Sequence, residues 1–320
     1  MRRPSTPNGR PRTSPRLRIV LTGGGSGIGA AIARDLAAEG HAIAILGRRE
    51  EPLRQIASVS SAIWAMPCNV SDERQVGETV ARITSRWPSV DALINAAAVI
   101  GPIGLTTELK PEDVLRVWKI NVGGTLRMII RLLPLLKKAP HPCIINFSGG
   151  GAFSPFPRYS AYAMSKAAVV RLTENLAIEL AEQGIAVNAI APGFQPTDMH
   201  HATLAAGPER AGRDYYERTR QLLHEGPTDR ARPFACVRFL LSQQAEGLTG
   251  KTISAGFDPW DTAAFQQHLR EIGTSELYTQ RRINPVHLPA GPLRDALEAP
   301  SARPARPRRQ HAAKRAMARA

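Results

Sequence analysis

The chain is expected to fold as a doubly wound parallel α/β sheet in a single domain, and three observations lead there. Short apolar runs of strand length alternate with longer segments of helical periodicity from residue 18 to residue 190. The first of these runs leads through a cluster of glycines directly into a helical pattern. With 320 residues, 43% of them hydrophobic, the chain can also bury a sizeable core.

Arg18–Thr22 is a strand-length apolar run, Gly23-Gly-Gly-Ser-Gly-Ile-Gly29 turns the chain, and Ile28, Ile32 and Leu36 recur at helical spacing until Gly40 supplies a C-cap. Ala42–Leu46 reads as a second buried strand. Next come a strand at Ala62–Met66, a helix capped by Ser71 and running to Arg86, a strand at Ala92–Asn95 and a single helix from Pro111 to Leu135. Cys143–Phe147 is a strand, 160–182 a helix and Ala186–Ile190 a strand. Polar residues 198–226 then interrupt the alternation, and insertions at the carboxyl ends of strands commonly form lids. His200 and His201 fall there and read as solvated lid residues rather than metal ligands, because neighbours on a helix point in different directions. A helix over 228–242 and a last strand at Lys251–Ala255 complete the pattern. Asp258-Pro259 reads as the cap of a short helix near 260–271. The domain is expected over 17–285, including an extension at 257–285.

The net charge of +15 sits at the ends of the chain. Six arginines in residues 1–18 and seven Arg or Lys in residues 300–320, with no acid in either stretch, account for thirteen of those charges. Both ends are rich in Pro, Ser or Ala without apolar periodicity, so disordered basic tails are expected at 1–16 and 286–320. An Arg-rich start fits a transit peptide or a misassigned start codon; Pro4, Pro7, Pro11 and Pro15 oppose the amphipathic helix of the former. Such tails support nonspecific, salt-sensitive nucleic-acid contact at most. No apolar run approaches the ~18–20 residues of a membrane helix. Cys68, Cys143 and Cys236 match no metal or redox spacing, and buried reduced thiols in a cytoplasmic protein are expected.

Two features carry chemistry. A glycine turn between strand and helix lets a pyrophosphate approach backbone amides at a helix N-terminus. At the end of the second strand, where an acid would hold a ribose 2′-hydroxyl, the chain reads Gly47-Arg48-Arg49; two guanidiniums favour a 2′-phosphate and hence NADP(H) over NAD(H). The alternative is that both arginines simply solvate a strand end. Second, Tyr162 and Lys166 are four apart and can share one helix face. A phenol titrating near ~10 suits neutral pH poorly, and a cation within ~4–6 Å lowers it by roughly 1–3 pH units. That makes the pair a candidate acid/base centre, although the same spacing also describes an exposed helix face.

Taken together, residues 17–256 resemble the short-chain dehydrogenase/reductase superfamily, whose fold is a Rossmann-type sheet. Thr22-Gly23-x-x-x-Gly27-x-Gly29 resembles its cofactor loop, Asn95-Ala-Ala-Ala98 its segment after the fourth strand, and Asn121 its asparagine at a distorted helix that serves proton relay. Tyr162 and Lys166 resemble its catalytic pair, and Pro192-Gly193-x-x-x-Thr197 its nicotinamide-holding segment. The resemblance implies Tyr162, Lys166 and Asn121 as catalytic residues. It implies cofactor contacts from Thr22, Gly23, Ser26, Gly27, Ile28, Gly29, Arg48, Arg49, Asn69, Val70, Asn95, Pro192, Gly193 and Thr197, with Tyr162 and Lys166, and no metal. Also implied are a small carbonyl or alcohol substrate and a homodimer or homotetramer formed through Val117–Leu136 and Ala167–Ala181.

Two positions depart from the family pattern. Asn69 stands where an aspartate is usual. Gly149 stands where the family's serine lies, thirteen residues before the tyrosine. Ser148 is adjacent but, in an unbroken strand, faces away from the cleft. A backbone N–H of Gly149-Gly-Gly151, Ser148 in a bulge, or Ser154 are the candidate replacements. The expected function is reduction of a carbonyl, or oxidation of the matching alcohol, by Tyr/Lys-assisted hydride transfer; the alternative is a cofactor-binding sensor or structural partner with little catalysis. Phe153, Phe156 and Tyr159 are candidates to line the substrate pocket or to pack beside it.

Overall fold

Alternate residues of each strand supply two separate apolar layers, and this period of two organises the molecule. Ile19 and Leu21 enter one core with Ile43, Ile45, Ile94 and Ile145, while Val20 enters the other with Leu46, Leu93, Ile144 and Val187. A strand buried on both faces must have helices on both sides, which requires crossovers and a parallel sheet. The computed structural model describes residues 16–226 and 231–281. The expectations for both basic tails, and for the end of the extension at 282–285, lie outside the described residues.

In chain order the elements are β1 (Arg18–Thr22), α1 (Gly27–Ala38), β2 (Ala42–Gly47), α2 (Glu50–Ala57), β3 (Ile63–Pro67), α3 (Glu73–Arg86) and β4 (Ala92–Asn95). They continue with α4 (Pro111–Asn121), α5 (Gly123–Leu136), β5 (Cys143–Phe147), α6 (Ser160–Glu179), β6 (Ala186–Ala191), α7 (Asp198–Ala211), α8 (Arg213–Glu225), α9 (Arg232–Leu241), β7 (Thr252–Ser254), α10 (Ala263–Gln267) and α11 (Leu269–Thr274). The seven strands pair in the order β3-β2-β1-β4-β5-β6-β7. All are parallel, as the doubly wound sheet read from the sequence requires. The order reverses between β1 and β4. The cleft at their carboxyl ends is where such sheets bind ligands.

Four expected elements differ. Asp72, not Ser71, caps α3: its carboxylate accepts the Gln75 N–H at 3.1 Å, and the Gln75 side chain in turn accepts the Asn69 N–H at 2.9 Å. The long helix from Pro111 is two helices, broken at Val122, where the chain turns so that the Asn121 side chain can bond another segment. Residues 198–226, read from the sequence only as a polar stretch suited to a lid, form the two helices α7 and α8. The C-terminal helix is the short pair α10 and α11, capped by Thr262, because the Asp258 carboxylate is taken by the Ser254 N–H at 2.6 Å.

The extension folds back over the sheet. Tyr278 carbonyl accepts the Thr252 N–H of β7, and the Gln280 side-chain amide donates to Ala152 carbonyl at 3.1 Å. Arg171 of α6 donates to the Gln280 carbonyl at 2.6 Å while Glu174 accepts its N–H, so two residues of α6 fix the strap. The compact unit ends at Gln280; 281–320 is a separate unit of which Arg281 alone is described.

Backbone contacts at Gly23 and Gly29 leave no room for side chains there. A β-carbon on Gly29 would stand 2.3 Å from the Gly23 carbonyl oxygen, an atom that cannot move without opening the turn. Gly29→Ala is expected to destabilise the fold by about 1–3 kcal/mol, roughly 2–12 °C in Tm, read by a thermal melt.

Candidate active site

The cleft beyond the carboxyl ends of β1, β2, β4, β5 and β6 encloses about 260 Å³. At its centre is the glycine turn. Gly23 and Gly27 adopt φ of 74° and 53°, left-handed values that favour glycine, and Gly27, Ile28 and Gly29 line the cleft at the start of α1. Ser26 makes no side-chain cap there, so the N-terminal amides of a twelve-residue helix are presented to the cleft. This cradle fits a pyrophosphate. Arg48, Arg49, Asn69 and Val70 line it beyond β2 and β3, Ser148, Tyr162, Lys166, Pro192 and Gly193 line it on the side of β5 and β6, and Thr197 lies over the glycine turn. The distribution fits a dinucleotide laid along the cleft.

Three expected site residues are turned away from it. The buried Thr22 hydroxyl accepts the N–H groups of Ala96 and Ala97, each at 3.1 Å, tying β1 to the segment that leaves β4. Asn95 donates to Asn146 Oδ1 at 3.0 Å, and Asn146 donates to Thr173, a polar ladder running from β4 through β5 to α6. Asn121 accepts the Val99 N–H at 2.8 Å and donates to Val99 carbonyl and Ser165 Oγ, both at 2.9 Å. Their side chains position the walls, and Ala96, Ala97, Ala98 and Val99 do the lining.

Tyr162 and Lys166 do share one face of α6, with Lys166 Nζ 5.5 Å from the phenol ring centre. The expected lowering of the phenol pKa is not found. Burial raises Tyr162, with Tyr215 adding to the rise, because the phenolate would lose its hydration. Burial likewise pulls Lys166 down to about 8, and its ammonium donates to Phe147 carbonyl at 2.7 Å.

The loop after β5 resolves which hydroxyl is near. A β-carbon at position 149 would point at the Tyr162 hydroxyl, 2.5 Å away, so Gly149 does occupy the place that faces the phenol. The Ser148 N–H continues the pairing with β6 by bonding Ile190 carbonyl at 2.9 Å, and Ser148 is among the residues lining the cleft, but its Oγ is buried and has no partner among the described residues. Ser154 is exposed on the loop.

The start of α7 was missed as cleft wall. Asp198, Met199 and His200 line it together with Gln195. His200 is not solvated: it lies on Phe194 with ring centres 4.1 Å apart, bonds Thr197 Oγ1 at 3.1 Å, and burial pulls it down to about 4. The spacing of Thr197 and His200, three apart on a helix, was the available signal. Among the described residues no group of His, Cys, Asp or Glu could hold a metal, and the three cysteines are buried and free. Phe156 and Tyr159 stack at 4.4 Å and pack under Tyr215 of α8, with Tyr159 bonded to Thr203, whereas Phe153 is exposed.

A parallel sheet, a glycine turn and a Tyr–Lys pair thus meet in one cleft. Residues 18–206 match the short chain dehydrogenase family, and the chain belongs to it. It is 30% identical over 242 residues to Dehydrogenase/reductase SDR family member 4 of Sus scrofa, covering 74% of this chain and 85% of that protein. It is also 30% identical to levodione reductase of Leifsonia aquatica, over 71% of this chain and 88% of the relative. Among solved structures, a single-residue variant of actinorhodin polyketide ketoreductase with NADPH superposes with a TM-score of 0.67 at 26% identity, covering 75% of this chain and 95% of that one.

Between pH 8 and 10.5, the ordinary lysine value, an unfolded chain keeps a proton on Lys166 that the folded chain has lost, so this residue makes folding more favourable as pH rises through that window. Urea denaturation of wild type and Lys166→Met across that range is expected to show wild type gaining relative to the variant. A constant difference would mean that Lys166 titrates alike in both states.

Proposed function

We propose that the protein is an NADP(H)-dependent oxidoreductase that reduces a carbonyl group, or oxidises the matching secondary alcohol. The observation that carries this reading is the presence of Tyr162 and Lys166 in one cleft with the glycine cradle and Arg48 and Arg49. The cofactor, when bound, supplies or takes up hydride. The glycine turn and the N-terminus of α1 would hold its pyrophosphate, and Arg48 and Arg49 its 2′-phosphate.

The chain's own groups handle the proton. The raised Tyr162 phenol stays protonated at neutral pH, so its proton is available to a carbonyl oxygen that gathers negative charge. The phenolate left behind is stabilised by the buried Lys166 cation, which the Phe147 carbonyl holds in place. A donor toward the same oxygen, in the role that a hydroxyl at 149 would have had, would come from a backbone N–H of the Gly149–Gly151 loop or from Ser148 once its buried Oγ turned toward the cleft. The reductases among the relatives, and the NADPH in the ketoreductase structure, support this assignment.

One observation favours a second reading, a cofactor-binding protein with weak catalysis: the position that faces the Tyr162 hydroxyl carries no side chain. The reading of a homodimer or homotetramer rests on exposed apolar residues at Leu115 and Trp118 of α4, Leu126 and Ile130 of α5, and Met164 and Ile178 of α6. No helix among the described residues is long and apolar enough to cross a membrane, and a cytoplasmic site of action fits three free thiols.

NADPH consumption on a panel of ketones and aldehydes tests the first reading, with Tyr162→Phe expected to lower kcat by about 10²–10⁴-fold. Equal turnover by that variant would refute the proton-transfer role. For the second reading, a near-zero wild-type rate that rises in Gly149→Ser is the expected signature, and brisk wild-type turnover decides against it.

A further inference from the structure

The start of α7 reaches across the cleft to the residues assigned to the cofactor's phosphate. Thr197 lies over the glycine turn: a β-carbon on Gly27 would meet its Cγ2 at 3.1 Å. The next residue, Asp198, is the first of α7, and its Oδ2 lies 3.4 Å from Nη2 of Arg49. Arg49 stands at the N-cap of α2, so the pair links the lid to the far wall, and both residues line the cleft between. At side-chain exposures of 65% and 77% this ion pair is solvated and therefore weak, worth a few-fold in an equilibrium constant. A phosphate dianion offers Arg49 more charge and more acceptor atoms than one carboxylate does.

We infer that Asp198 is a specificity-determining residue for the cofactor, acting as an internal competitor for Arg49 that a 2′-phosphate must displace and that a 2′-hydroxyl leaves in place. This inference rests on the NADP(H) reading above. A bound 2′-phosphate takes the Arg49 guanidinium, and Asp198, left beside a second negative charge, is released from the α2 wall. A cofactor without that phosphate leaves the bridge intact. Asp198 thus holds back the affinity for phosphorylated cofactor and ties the position of the lid's first turn to which cofactor is bound.

Binding of adenosine 2′,5′-bisphosphate and of 5′-AMP to the full chain, followed by calorimetry, separates the possibilities without any turnover. Both substitutions are at exposed side chains, and circular dichroism verifies folding. Asp198→Asn is expected to tighten the bisphosphate about two- to five-fold and to leave 5′-AMP unchanged. In an Arg49→Ala background the same substitution is expected to do nothing, because the competition is for Arg49. Unchanged or weakened bisphosphate binding in Asp198→Asn overturns the inference, as does a gain that persists without Arg49, which is the mark of a diffuse charge effect. If instead wild type binds both probes equally and Arg49→Ala changes neither, the NADP(H) reading itself has failed. Loss of bisphosphate affinity in Arg49→Ala with no response in Asp198→Asn removes the competitor role alone.

Discussion

The site depends on how β1 and β4 part company at their carboxyl ends, and the Thr22 hydroxyl governs that separation. One buried oxygen accepts two backbone N–H groups from the segment leaving β4. Without it those amides would be buried unpaired, each at a cost of about 1–3 kcal/mol. With it, Ala96–Val99 are held as a wall opposite the glycine turn, and the small side chains of three alanines keep the space between open. The Asn95–Asn146–Thr173 ladder extends the same bracing to α6, so the helix carrying Tyr162 and Lys166 is anchored to the strands that flank the cleft.

The Tyr162–Lys166 end of the cleft carries groups whose burial costs stability. Lys166 is an ammonium kept almost without water, and its bond to Phe147 carbonyl offsets only part of the lost hydration. Ser148 adds a buried hydroxyl with no partner among the described residues. Such groups oppose folding. The apolar layers on both sides of the sheet are what tolerate them.

Strand positions were legible because each is a run of β-branched or aliphatic residues with both faces buried, and the glycine turn, Arg48, Arg49, Tyr162 and Lys166 stand where their local pattern put them. What was hidden depended on distant partners. The break after Asn121 exists because its amide is used by Val99 and Ser165, which no periodicity reveals. Helix α7 was obscured by Gly207, at φ 75°, and Pro208 inside it, and α8 by its low apolar content. At the end of β5, position 149 faces the Tyr162 hydroxyl while the Ser148 Oγ is buried, in keeping with alternation along a strand. Asn95 and Thr22 sit at strand ends, where sequence fixes proximity to a cleft but not the direction of a side chain. The direction of the Tyr162 shift follows from burial, with Tyr215 adding to it, and the sequence shows neither.

The strap through Gln280 gives the active site an order of construction. The Gly149–Gly151 loop is made early, yet its neighbour Ala152 receives its side-chain donor from a residue 128 positions later. At ~5–20 residues per second of synthesis, that interval is roughly 6–26 s. The sheet can assemble strand by strand as the chain emerges, but the loop facing Tyr162 waits for nearly the whole polypeptide before it is pinned. A ribosome that stalls beyond β6 therefore holds a nascent chain in which Ala152 still lacks its donor from Gln280.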